Sequence, residues 1–191
     1  MAQPILIIAD SGTGKSTSIR HLNPDETFIV NIANKPLPFK GWKNNYTTIS
    51  KENPEGNMAS TSSAAGIIKA IKHVDEKRPA IKTLIIDDWQ YMSSFEYFDR
   101  ANEKGYDKFT QIAANLAMVA KSPKDLRDDL TVFFLTHSED STDINGNRKI
   151  KAKTIGKMID NTLTLEGLFS IVLFGKVNKN DDGELEYGFE T

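Results

Sequence analysis

Ile5-Leu6-Ile7-Ile8-Ala9-Asp10-Ser11-Gly12-Thr13-Gly14-Lys15-Ser16 is the stretch on which the fold turns. Four adjacent branched aliphatics suit a strand buried on both faces, as in a parallel sheet covered by helices. Ala9 to Ser16 then follow the phosphate-loop pattern Gly-x-x-x-x-Gly-Lys-Ser, the Walker A or P-loop element, with alanine in place of the first glycine. Gly12 and Gly14 let the backbone curl so that successive N–H groups face phosphate oxygens. A helix expected over residues 16–22, stopped by Asn23-Pro24, adds the partial positive charge of its N-terminus. The pattern predicts that Ser11, Gly12, Thr13, Gly14, Lys15, Ser16 and Thr17 hold a nucleoside triphosphate, ATP with Mg2+. Lys15 bridges the β- and γ-phosphates and the Ser16 hydroxyl meets the metal. The bland alternative is a glycine-rich turn beside a chance lysine; the strand before it and the helix after it argue against that.

Working outward, residues 27–32 and 82–88 are further aliphatic strands, the second ending in two carboxylates. Residues 60–77 have helical spacing, with Ile67, Ile68, Ile71 and Val74 on one face and Pro79 as the stop. A helical region spans 90–121, broken at Gly105, and residues 130–136 form another buried strand with His137 at its end. Residues 35–56 read as loop, with a short strand at 46–49. The C-terminal part reads as a hairpin over 144–152 around Asn145-Gly146-Asn147, a short helix over 154–160 and a strand over 168–174. A last hairpin turns at Gly183, between 176–178 and 185–189. Strands alternating with helices predict an α/β fold with a mostly parallel sheet, flanking helices and a C-terminal β-hairpin, ligands lying at the strand C-termini.

The chain has 191 residues, 26% charged and 39% hydrophobic, and is expected to form a single domain over 1–191. Its net charge of −2 means that any contact with nucleic acid must come from a local patch. The absence of cysteine excludes disulfides, thiolate zinc sites and a cysteine nucleophile. Met1-Ala2-Gln3-Pro4 leads directly into a short apolar run, which argues against a secretion signal, and no apolar run approaches the roughly 20 residues of a membrane span. The expected compartment is therefore the cytoplasm, with no membrane partner.

Leu84-Ile85-Ile86-Asp87 supplies the second half of a nucleotide site, the Walker B element, with Asp87 near the magnesium. Asp88 is either a second carboxylate at the site or a helix N-cap. His137 is placed to read the γ-phosphate or orient the attacking water, against the alternative of a surface histidine at a strand end; Glu139 is a weaker candidate for the same work. Trp89, Tyr91, Phe95, Tyr97 and Phe98 have the spacing of core packing more than of base stacking, and Phe39 and Trp42 are candidates to cover the adenine. Between Asn145 and Lys157 stand five basic residues and no acid: Arg148, Lys149, Lys151, Lys153 and Lys157. Alternation along a strand puts Lys149, Lys151 and Lys153 on one face. That face suits single-stranded nucleic acid, a lysine finger toward a neighbouring subunit, or an edge strand guarded against aggregation.

Together these residues resemble the phage-encoded RecA-like P-loop ATPases, in particular the Sak-type proteins linked to single-strand annealing and recombination. The resemblance rests on residues 5–16, 84–88, 126–139, 151–157 and 165–169. It implies a RecA-like core and an ATPase that binds single-stranded DNA, oligomerises with itself and works beside a single-strand-binding protein or another phage recombination factor. It also places Lys151, Lys153 and Lys157 near a subunit interface. Two departures stand out. RecA-like ATPases carry a catalytic Glu after the strand that follows the P-loop helix, whereas this chain has Asn31 and Asn34 there. Slow hydrolysis is one consequence; another is that Asp88 or Glu139 positions the water. The chain also starts almost at its first strand and stops at Thr191, so filament formation is not carried over. A nucleotide-gated binding module with little turnover and a small nucleotide or metabolite kinase remain as other readings, although the few arginines form no lid cluster.

Overall fold

The computed structural model describes residues 1–142, 145–161 and 163–191; the side chains of Lys157 and Met158, and the predicted hairpin start at Ile144, fall outside that description. In chain order the elements are β1 (Gln3–Ala9), β2 (Thr27–Asn31), α1 (Trp42–Asn45), β3 (Met58–Ala59), α2 (Ala64–Lys77), β4 (Thr83–Asp87) and α3 (Gln90–Asp99), then α4 (Asp107–Lys121), β5 (Thr131–Thr142), β6 (Arg148–Ala152), α5 (Lys157–Asp160), β7 (Ile171–Lys179) and β8 (Leu185–Glu190). The sheet order is β3-β2-β4-β5-β1-β7-β8, with β6 paired to β5. All pairings are parallel except β5 with β6 and β7 with β8.

The aliphatic runs serve two cores at once. Leu6, Phe28, Val30, Leu84, Ile86 and Phe134 enter one, while Ile7, Ile29, Ile85 and Leu135 enter the other. This is the alternation of a strand buried on both faces. The larger core is roofed by α2 through Ile67, Ile71 and Val74, by Met92 of α3, and by α4 through Ile112, Leu116 and Val119. Each such side chain stabilises the fold by up to about 1.5–3 kcal/mol on burial. The opposite face has a thinner cover built from Ile19, Leu37 and Tyr46.

Several elements differ in extent from the sequence expectation. The segment after the phosphate loop is a six-residue 3₁₀ turn, Ser16–His21, and Leu22 is already extended. Ser18 Oγ donates to the Lys15 carbonyl at 2.6 Å, a local bond that competes with helix, and Pro24 blocks any continuation. Helix α2 starts at Ala64 rather than at residue 60 because Ser63 caps it, accepting the Gly66 N–H at 3.1 Å. Strand β5 continues six residues past Thr136, since Ser138 to Thr142 leave the parallel core and pair antiparallel with β6. Residues 166–168 are a 3₁₀ turn, and β7 is one unbroken strand paired with β8 around Gly183. The strand expected at 46–49 reduces to a single bridge, Thr48 to Met58. Gly105 does separate α3 from α4, with φ +88°, a value that favours glycine.

Candidate functional site

The phosphate loop leaves β1 at the middle of the sheet, where β1 lies between β5 and β7. Gly12 and Gly14 take φ of +82° and +88°, the left-handed conformations that curl the loop. Lys15 is buried, its ammonium donating to the carbonyls of Ala9 at 2.6 Å and Asp10 at 2.7 Å. Burial lowers its pKa, against the raising effect of Asp88, Asp87 and Asp10.

Alanine at position 9 has a steric explanation. Strand β7 runs beside β1 with Gly175 against the end of that strand, and a Cβ on Gly175 would stand 2.7 Å from the Ala9 Cβ. The methyl group that departs from the loop pattern fills space left by a glycine on the next strand. Tyr187 of β8 also reaches the loop: a Cβ on Gly14 would meet its ring at 3.3 Å.

Strand β4 delivers the two carboxylates. Ser16 Oγ donates to Asp87 Oδ1 at 2.8 Å, which joins the two residues predicted to meet the metal. Asp87 is pushed up to about 6, first by burial and then by the neighbouring charge of Asp88. Hydroxyl and carboxylate oxygens are hard donors of the kind magnesium takes, the remaining positions being filled by water and phosphate. The residues present therefore fit Mg2+. Asp88 has φ +59°, a left-handed backbone that Asp tolerates better than most residues. It does not cap α3, whose N-cap position is Trp89. Its carboxylate instead accepts from Lys35 Nζ at 2.8 Å and lies 3.5 Å from His137 Nε2. Burial works to raise Asp88, but the hydrogen bonds from His137 and Lys35 outweigh it and hold the group at about 2.

A cavity of about 240 Å³ gathers Ser11, Gly12, Gly14, Lys15, Ser16 and Thr17 with Asp87, Asp88 and His137. Glu139 is not among its lining residues; it stands opposite Lys151 in the β5–β6 ladder, because β5 has by then left the parallel sheet. A second polar cavity of about 420 Å³ adjoins the first, sharing Ser11, Lys35 and His137 with it and reaching Lys153. Phe39 and Trp42 pack against the smaller core and border a third cavity, which meets the phosphate cavity at Pro38. Among the aromatics after β4, Trp89 is fully buried against Phe134 and Phe169, whereas Phe98 is exposed.

The basic hairpin is more balanced than its sequence suggests. Arg148 pairs with Asp140 across the ladder and Lys151 with Asp160 of α5. Lys149 and Lys153 are exposed and, among the described residues, make no ion pair. Lys149 and Lys151 border one cavity while Lys153 borders another, so the three lysines do not share one groove.

Lys35 was missed by the sequence reading. It follows β2 in the Pro-rich loop, and a cation directly after the C-terminal end of a parallel strand was the available signal. Asn31, in the place of the expected acid, uses its side-chain amide on Lys35: Nδ2 donates to the Lys35 carbonyl at 2.6 Å and Oδ1 accepts its N–H at 3.2 Å.

Among solved structures the chain is similar to a DnaB-like replicative helicase studied with its primase interactions. The TM-score is 0.52 and the identity 12%, with 98% of this chain and 54% of that chain covered. It is also similar to the Legionella pneumophila ATPase DotB, at TM-score 0.42 and 10% identity, with 99% of this chain and 44% of that chain covered. The chain thus spans about half the length of these structures. No curated protein matches. Among the described residues no helix is long and apolar enough to cross a membrane. The family model described as "AAA domain" matches residues 1–190, and the chain belongs to that family: it is an ATP-binding P-loop NTPase domain of the AAA type.

Proposed function

We propose that the chain is a magnesium-dependent ATPase that binds single-stranded DNA at the β5–β6 hairpin and serves phage recombination or strand annealing. The observation that carries this reading is the join between hairpin and phosphate cavity. The Lys153 N–H donates to the His137 carbonyl at 2.8 Å, and both residues border the second cavity. His137 also lines the phosphate cavity, so one short stretch of backbone runs from that cavity to an exposed lysine at the hairpin foot.

In this mechanism the main-chain N–H groups of the loop surround the phosphates, and Lys15 exchanges its two carbonyl partners for phosphate oxygens. Ser16 and Asp87 hold magnesium, which when bound neutralises phosphate charge and polarises the terminal phosphoryl group. With an amide at Asn31, Asp88 is the carboxylate left to orient the attacking water, and His137 responds to the terminal phosphate. Lys149 and Lys153 meet the nucleic-acid backbone.

ATP hydrolysis measured with and without an oligonucleotide tests the proposal. Stimulation by single-stranded DNA is expected. Replacing Lys149 and Lys153 together by Ala should weaken DNA binding and reduce its salt dependence by about two counterions. DNA affinity unchanged in that double variant would remove the hairpin from the proposal. One observation favours a second reading, a nucleotide-gated binder with little turnover: the group in the expected acid position is an amide tied to the backbone. Tight ATP binding with no DNA-stimulated phosphate release would select it.

A further inference from the structure

We infer that Lys35 is a second cationic ligand of the terminal phosphate, supplied in cis by the loop after β2 and exchanging Asp88 for phosphate oxygens when a triphosphate binds. This rests on the reading of Ala9 to Ser16 as the phosphate loop.

Four observations converge on Lys35. Its side chain lines the phosphate cavity together with Lys15, Ser16 and Asp88. It also borders the adjoining cavity beside Ser11 and His137, which places it where the two spaces meet. Its ammonium is already held at the site, 2.8 Å from Asp88 Oδ2 and 4.6 Å from the centre of the Tyr91 ring. Its backbone is fixed from both sides by the Asn31 amide, at 2.6 and 3.2 Å, and Asn31 is the register partner of Asp87 on the neighbouring strand.

The clamp needs an amide specifically. An aspartate at position 31 offers no donor to the Lys35 carbonyl and sets a negative charge against it. The departure from the acid of RecA-like ATPases thus has a positive reason: the loop gives up a carboxylate and gains a placed lysine. Asn34, at φ +51°, completes the tight turn that brings Lys35 back over the strand end, a conformation Asn adopts more readily than most residues.

The Asp88 bond is one that Lys35 can leave. The Lys35 side chain is 56% exposed while that of Asp88 is 12% exposed, so the ammonium keeps access to water and is not stranded in a dry interior when it moves. An ammonium group carries three donors, so a phosphate oxygen can also be added before Asp88 is released. A magnesium triphosphate brings net negative charge to within reach of Asp88, and a cation between the two relieves their repulsion. Release leaves Asp88 with a free lone pair toward the same cavity. A nucleoside diphosphate, lacking the terminal group, gives Lys35 nothing to exchange for, so Lys35 distinguishes triphosphate from diphosphate.

The test compares dissociation constants, measured calorimetrically with magnesium, for ADP and for the β,γ-imido analogue of ATP. Lys35→Ala is expected to weaken the triphosphate analogue about tenfold or more while ADP stays within about twofold. Lys35→Arg should recover most of the loss. Asn31→Ala should shift the same ratio in the same direction by a smaller factor, because the lysine remains but its backbone is no longer held. Equal loss of both nucleotides in Lys35→Ala, or no loss of either, overturns the inference, since a merely structural ion pair gives one of those two results. Lys15→Ala separates this outcome from failure of the phosphate loop itself: it must lose both nucleotides, and if it loses neither, the loop assignment falls first.

Discussion

Two adjacent carboxylates show how far position alone sets chemistry at the scale of a residue. Asp87 is buried and pushed up to about 6, whereas Asp88, with two donors, is held at about 2. For Asp87 the folded value lies above the unfolded one. Its ionised form therefore costs stability in full above about pH 6, and the cost fades as pH falls toward 4. Asp87→Asn keeps an acceptor for Ser16 and removes the buried charge. The metal-free variant should be more stable than the parent at pH 7.5 by up to roughly 2–3 kcal/mol, and equal to it near pH 4. Chemical denaturation at the two pH values measures this; a difference that does not shrink with falling pH overturns it. The same variant should lose magnesium-dependent ATP affinity, stability gained at the cost of function. That Lys15, Ser16, Asp87 and Asp88 come together at one cavity was legible in the sequence, because the two motifs fix their spacing to strand ends. Lys35 was not, since its place depends on a side-chain clamp from Asn31 that leaves no periodic trace. Glu139 was a candidate through its nearness in sequence to His137; the hairpin pairing sets it opposite Lys151, and it does not line the phosphate cavity.

At the scale of elements, the strands were legible wherever an apolar run was bounded, while their lengths were not. Strand β5 looked finished at Thr136 because its remaining residues are polar, yet backbone pairing with β6 needs no apolar side chain. The contact between β1 and β7 explains why a loop with Ala9 works, and it can be tested directly. Gly175→Ala brings a Cβ to 2.7 Å from the Ala9 methyl group, an overpacking that should cost about 1–3 kcal/mol. Ala9→Gly alone should cost about 1 kcal/mol through backbone freedom. If the two groups compete for one space, the double variant is more stable than the sum of the single effects by at least about 1 kcal/mol. Urea denaturation of the four proteins gives that coupling, and simple additivity would sink the explanation.

For the whole molecule, the sequence carried the α/β class but not the strand order, because a crossover leaves no mark on the strands it joins. It is the order β4-β5-β1 that brings Asp87, His137 and the loop that follows Ala9 around one cavity. The same β5 then runs on into the hairpin. A single strand therefore borders both proposed ligands, and this imposes a thermodynamic condition. If the strand has two arrangements that ATP and DNA both bias, each ligand must change the other's affinity by the same factor. A coupling of 1–3 kcal/mol corresponds to about 5–150-fold. Oligonucleotide affinity measured with and without the β,γ-imido analogue gives one arm. Affinity for that analogue, measured with and without saturating oligonucleotide, gives the other. Equal factors well above one are expected from the intact protein, and the Lys149→Ala, Lys153→Ala variant should bring both toward one together. A factor of one in both arms of the intact protein would mean that the continuous strand transmits nothing. In that case the phosphate cavity and the hairpin share a sheet without sharing a function.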